Sequence, residues 1–143
     1  MGKTRRSIRL AGATAAIAGA SAMAAPASAD VTGVEVTTPS GYGSSEGVYG
    51  PGCEYTVEAT VNNQNLGEKV TFTVTSGGAT VETEDVTPTG NSAKFTWTPD
   101  GPGSYVITAK QPSSAAKSTD PLTVGTFAIS NENLSDGTCI VIY

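Results

Sequence analysis

Alternation with a period of two limits this chain more than any other feature of its sequence. In CEYTVEATVNN, Cys53, Tyr55, Val57, Ala59 and Val61 alternate with Glu54, Thr56, Glu58, Thr60 and Asn62. In KVTFTVTS, Val70, Phe72 and Val74 alternate with Thr71, Thr73 and Thr75, and in AKFTWT, Ala93, Phe95 and Trp97 alternate with Lys94, Thr96 and Thr98. Tyr105, Ile107 and Ala109 repeat the pattern less cleanly against Val106, Thr108 and Lys110. Successive side chains of a strand point to opposite faces, so each run describes a strand with one dry and one wet side. Val and Thr dominate the runs, and branching at Cβ suits both to the pleated conformation. No segment carries an apolar stripe at helical spacing, so little helix is expected.

The breaks between runs agree. Asn62 to Gly67, Gly77-Gly78, Pro88 to Asn91 and Pro99 to Gly103 fall at short, fairly even intervals. Gly and Asn tolerate the left-handed conformations of tight turns, and Pro cannot continue a central strand. Seven strands fit, at about 33–38, 53–62, 69–76, 79–86, 92–98, 104–110 and 121–125. A single sheet of this size would leave an apolar face uncovered, so two packed sheets are expected. The glycine-rich SGYGSSEGVYGPG, Ser40 to Gly52, reads as a long exposed loop. The tail from 126 to 143 reads as an added hairpin, with Cys139, Val141 and Tyr143 on one face.

The N-terminus has a different character. Lys3, Arg5, Arg6 and Arg9 precede the uncharged LAGATAAIAGASAMAA, and Ala27 and Ala29 occupy the small positions of an A-x-A cleavage site before Asp30. A positive head, an apolar middle and a small-residue exit describe a secretory signal peptide, here residues 1–29. As an uncleaved anchor the stretch is short and poor in Leu, Ile and Phe, and it would span a bilayer badly. Thr4-Arg5-Arg6-Ser7-Ile8 also resembles a twin-arginine signal. Arg9 sits where that signal wants an apolar residue, which favours the general secretion route. Beyond residue 29 the chain keeps four lysines and no arginine against thirteen acidic residues, a balance of −9. Such a surface repels phosphate backbones and anionic membranes, so neither nucleic acid nor a membrane surface is an expected partner. A secreted product with no membrane span after cleavage is expected.

From YTVEATV through VTFTVTSGGATV to AKFTWTPDGPGSYVITA, the chain resembles the bacterial immunoglobulin-like (Big-type) domains of surface and secreted proteins. The resemblance covers about 53–125 and is most specific in its last piece. It implies an all-β, immunoglobulin-like β-sandwich of about seven strands over 30–125, with the tail packed on it as a C-terminal hairpin. Gly103-Ser104-Tyr105 resembles the tyrosine corner of such folds, whose phenol bonds back to nearby backbone. Ile107 stands where an antibody-type domain places its second cysteine, and no internal repeat follows, although bacterial members usually occur as repeated spacers.

Chemistry-bearing residues are sparse. Histidine is absent, which removes the Ser–His–Asp and Cys–His nucleophile arrangements. In an exported chain, Cys53 and Cys139 read as a disulfide that stabilises the fold by roughly 4–5 kcal/mol in the chain-entropy picture. Glu82, Glu84 and Asp85 are close in sequence and could interest calcium, but Glu82 and Glu84 stand two apart on a strand, as on a solvated acidic face. No catalytic residue, metal ligand or cofactor site is expected. Tyr42 and Tyr49, in the glycine-rich loop, are the candidate ligand contacts, because aromatics on such loops make adaptable contacts; for Tyr49 the alternative is packing beneath the loop. Trp97, Tyr105, Phe95 and Phe72 are expected in the core. The resulting expectation is a small exported, non-catalytic module that binds an envelope glycan or an extracellular protein. The alternative is a secreted carrier of a small apolar ligand, or a protease inhibitor.

Overall fold

Each alternating run becomes a paired strand. The computed structural model describes residues 30–39, 47–62, 67–130 and 139–142. The leader 1–29, Tyr42 and Tyr143 lie outside these described residues. Among the described residues, eleven strands follow in order. They are β1 (Val31–Thr37), β2 (Val48–Tyr49), β3 (Tyr55–Val61), β4 (Val70–Ser76), β5 (Ala79–Val86), β6 (Ser92–Trp97), β7 (Gly103–Lys110), β8 (Lys117–Ser118), β9 (Leu122–Val124), β10 (Phe127–Ser130) and β11 (Cys139–Ile142).

These strands form an all-β sandwich. The smaller sheet has the order β1-β3-β6, and the larger has the order β2-β9-β7-β4-β5, with β8 pairing the far end of β7. Pairing is antiparallel throughout both, except that β2 runs parallel to β9. The dry rows meet between the sheets: Tyr55, Val57, Ala59 and Trp97 from the smaller face Val70, Phe72, Val74, Ile107 and Ala109 from the larger, all at most 1 % exposed. Phe72 and Phe95 touch across the core with ring centroids 4.7 Å apart. That contact ties β6 to β4 across the core.

One turn shows how closely local chemistry sets the path. Ser76 pairs with Ala79, leaving Gly77-Gly78 as a two-residue hairpin loop. Both glycines have positive φ, 58° and 82°. Two consecutive left-handed residues give the primed turn whose twist matches the flanking strands, and glycine is the residue that adopts it without Cβ strain.

One expectation needs correction. The segment 47–52 is not an exposed loop, because Val48 and Tyr49 pair with Thr123 and Val124. Tyr49 is 6 % exposed and belongs to the core. A two-residue strand has no period to read, so only its tertiary partner reveals it. The tail does form a hairpin, β10 with β11, with Cys139 and Val141 buried and Ile140 exposed between them. Cys53 and Cys139 are joined in a disulfide, with Cα atoms 5.8 Å apart and both residues buried.

Candidate functional site

Of the two tyrosines that suggest a binding surface, Tyr42 lies outside the described residues and Tyr49 belongs to an aromatic cluster in the core. Trp97 is 1 % exposed and is enclosed by Tyr49, Tyr55 and Tyr105, with ring centroids at 5.7, 5.8 and 5.5 Å. The polar tips are satisfied from within: the Gly50 N–H donates to the Tyr55 hydroxyl at 2.6 Å, and the Tyr105 hydroxyl donates to the Gly101 carbonyl at 2.9 Å. The second bond is the backward reach of a tyrosine corner. Buried, Tyr49 cannot serve as the surface ligand contact that its glycine-rich neighbourhood suggests.

Two adjoining hollows lie along one flank of the sandwich, and a third, of about 420 Å³, lies beside Asp30, Thr32 and Lys117. At the other flank the sheet edges are β1 and β2; at the flank of the two adjoining hollows, residues 87–91 carry the chain from β5 to β6. At the open flank the edges are β6 and β5. There β6 packs on β4 through Phe95 and Phe72, and no residue of β5 is fully buried. Residues opposite one another in an antiparallel pair share a face. Glu82 pairs with Val74, Glu84 with Phe72 and Val86 with Val70, so both carboxylates belong to the inner, core-lining row of the larger sheet. The expected solvated acidic face exists, but it lies on the inward side, where the smaller sheet stops short.

Asp85 belongs to the opposite row of the strand, although it borders the same hollow as Glu82 and Glu84. This residue pairs with Thr71 in the outward row, and the Thr71 hydroxyl donates to its carboxylate at 2.6 Å. Glu82, Glu84 and Asp85 therefore do not converge as calcium ligands. Among the described residues, no group of three His, Cys, Asp or Glu side chains is placed to hold a metal ion.

Two adjoining hollows share Glu82 and run along the flank. One, of about 330 Å³, is bordered by Val81, Glu82, Trp97, Pro99, Asp100 and Tyr105. The other, of about 560 Å³, is bordered by Glu82, Glu84, Val86, Lys94, Phe95 and Thr96. Within the described residues, the side chains of Glu82, Glu84 and Asp100 form no hydrogen bond or ion pair. Lys94, which borders the groove, is engaged by Glu58 at 3.3 Å. Partial burial, followed by the charges of Glu84 and Asp100, raises the Glu82 carboxyl above its ordinary pKa. Val81 adds an apolar side chain that is 54 % exposed. It is the extra residue of a bulge, because Val74 pairs with Glu82 and Thr75 with Thr80.

The free edge of β6 completes the groove. Ser92 turns its backbone groups away from β3: its N–H donates to the Thr89 carbonyl and its carbonyl accepts from the Thr89 N–H. Backbone polar groups alternate sides along a strand, so those of Lys94 and Thr96 also point away from β3. No other described strand pairs with them. Of this site, the sequence identifies Glu82 and Glu84. Asp100, Val81 and the open β6 edge have no signature in hydrophobic patterning, because they depend on where the two sheets stop relative to each other.

No protein-family model matches the chain. No curated protein matches it either.

Proposed function

We propose that this protein is a small exported, non-catalytic binding module of the bacterial immunoglobulin-like type, acting at the cell envelope or outside the cell. The observation that carries this reading is the open flank, where an unpaired strand edge lies beside a groove with three unpartnered carboxylates. Export rests on the leader pattern of residues 1–29, and the buried disulfide suits an oxidising compartment. Among the described residues there is no helix long and apolar enough to cross a membrane. The absence of histidine from the whole chain supports a non-catalytic role. A small-ligand carrier is the weaker reading, since Trp97, Tyr55, Phe72 and Ile107 fill the space between the sheets.

The test is a binding screen of the purified protein against envelope glycans and extracellular proteins, with backbone NMR locating any contact. Perturbation of β5 and β6 is expected. Binding confined to another surface, or no binding at all, would remove the groove as the functional face.

A further inference from the structure

We propose that the open flank accepts an extended segment of a partner protein as an added strand on β6, selecting segments with Lys or Arg at alternate positions. The inference rests on the binding-module reading and specifies its ligand. It begins with shape. The smaller sheet ends at β6, and the hollows beside that edge are bordered by Glu82, Glu84 and Val86 of β5, so a strand added to β6 would enter them. The N–H and C=O groups of Lys94 and Thr96 face that position and give the added strand a ladder to join. Addition of an extended peptide to a free sheet edge draws affinity from main-chain bonds and specificity from alternate side chains.

Charge then selects the guest. Guest residues opposite Phe95 and Trp97 would share the inward direction of those buried side chains. The residue opposite Phe95 would meet the hollow bordered by Glu82 and Glu84, and the one opposite Trp97 the hollow bordered by Glu82 and Asp100. Covering these carboxylates with an uncharged strand would desolvate them without compensation, which is costly. Inward charges on an edge normally deter pairing altogether. Here they would deter every strand except one whose inward positions carry cations, so the same residues reject and select. The raised pKa of Glu82 fits a carboxylate already partly desolvated and crowded by like charge, which a guest cation would relieve.

A second copy does not supply such a strand. Outside the basic leader the lysines are Lys69, Lys94, Lys110 and Lys117, no two of them two residues apart, and there is no arginine. Lys3-Thr4-Arg5 has the spacing but belongs to the segment read as cleaved.

Three synthetic peptides test the proposal against the full-length protein: Thr-Thr-Lys-Thr-Lys-Thr-Thr, the same composition with adjacent lysines, and a version with Gln for both lysines. The alternating peptide is expected to bind about tenfold more tightly than the adjacent one, the effect of losing one of two well-placed charge contacts. Its binding should slow hydrogen exchange at the Lys94 and Thr96 amides, and the Glu82→Gln/Glu84→Gln double variant should abolish the preference. Equal binding of the alternating and adjacent peptides, or unchanged exchange at those amides, overturns the added-strand model. A neutral peptide or a glycan that shifts the groove resonances in preference to the alternating peptide also overturns it, while leaving the groove as the binding face. If every ligand found in the broader screen binds away from β5 and β6, both readings fall.

Discussion

Trp97 and Glu82 border the same hollow yet stand in opposite energetic positions. Trp97 is enclosed by three tyrosines, so replacing it with Ala removes apolar contact and leaves a cavity that its neighbours cannot close. Trp97→Ala is expected to lower unfolding free energy by about 3–5 kcal/mol in urea or guanidinium titration; a fully stable variant would contradict the core assignment. Glu82 is held where its charge is disfavoured, by burial first and then by Glu84 and Asp100. Its folded pKa is raised above the unfolded value, so the associated stability is fully present below the unfolded pKa and is lost as pH rises through the folded one. At neutral pH the ionised group therefore weakens the fold. Glu82→Gln is expected to raise stability at pH 7 by no more than about 1 kcal/mol, given its partial exposure. The gain should disappear when both states are protonated, below about pH 4. A variant no more stable at pH 7 than the parent would show that the carboxylate carries no penalty.

Strands whose signal is periodic were legible in the sequence; features set by the termination of a sheet were not. The alternation locates β3, β4, β6 and β7 to within one or two residues, because their dry rows are also their core rows. Strands β2 and β8 have two residues each and are held by their partners, so no local pattern marks them. β5 is the instructive case. Its inner row is Glu82, Glu84 and Val86, and its bulge puts Val81 out of step, so a strand paired beside the core reads as a polar edge. Pattern identifies which residues share a face but not how far the opposing sheet extends over that face. The turn before β5 was legible for a local reason, and it can be tested. Gly78→Ala places a Cβ at φ 82° and should cost about 1–2 kcal/mol, measured by chemical denaturation. No change would mean that the β4–β5 turn relaxes to another geometry.

At the scale of the molecule, the sandwich and its tail are held by different forces. The two large sheets enclose a continuous apolar core contributed mainly by β3, β4, β6 and β7. The β10–β11 hairpin forms a separate two-stranded sheet, an arrangement only marginally stable alone in water. It is fastened by the burial of Val141 and by the Cys53–Cys139 bond, which joins residues 86 apart in sequence. Chain entropy assigns such a cross-link roughly 4–5 kcal/mol, acting through the unfolded state and therefore on the whole fold. Dependence of the hairpin on the pin adds a local effect. In a Cys53→Ala/Cys139→Ala variant, global stability should fall by an amount of this order. Amides of residues 139–142 should then exchange through an opening much less costly than global unfolding, while those of β3 and β6 still report the global event. Equal protection of tail and sandwich in the variant would show that packing alone holds the hairpin. Selective release would instead show that the disulfide converts a marginal hairpin into part of the folded unit while leaving the open β5–β6 flank to the core strands, so that the groove persists when the tail is free.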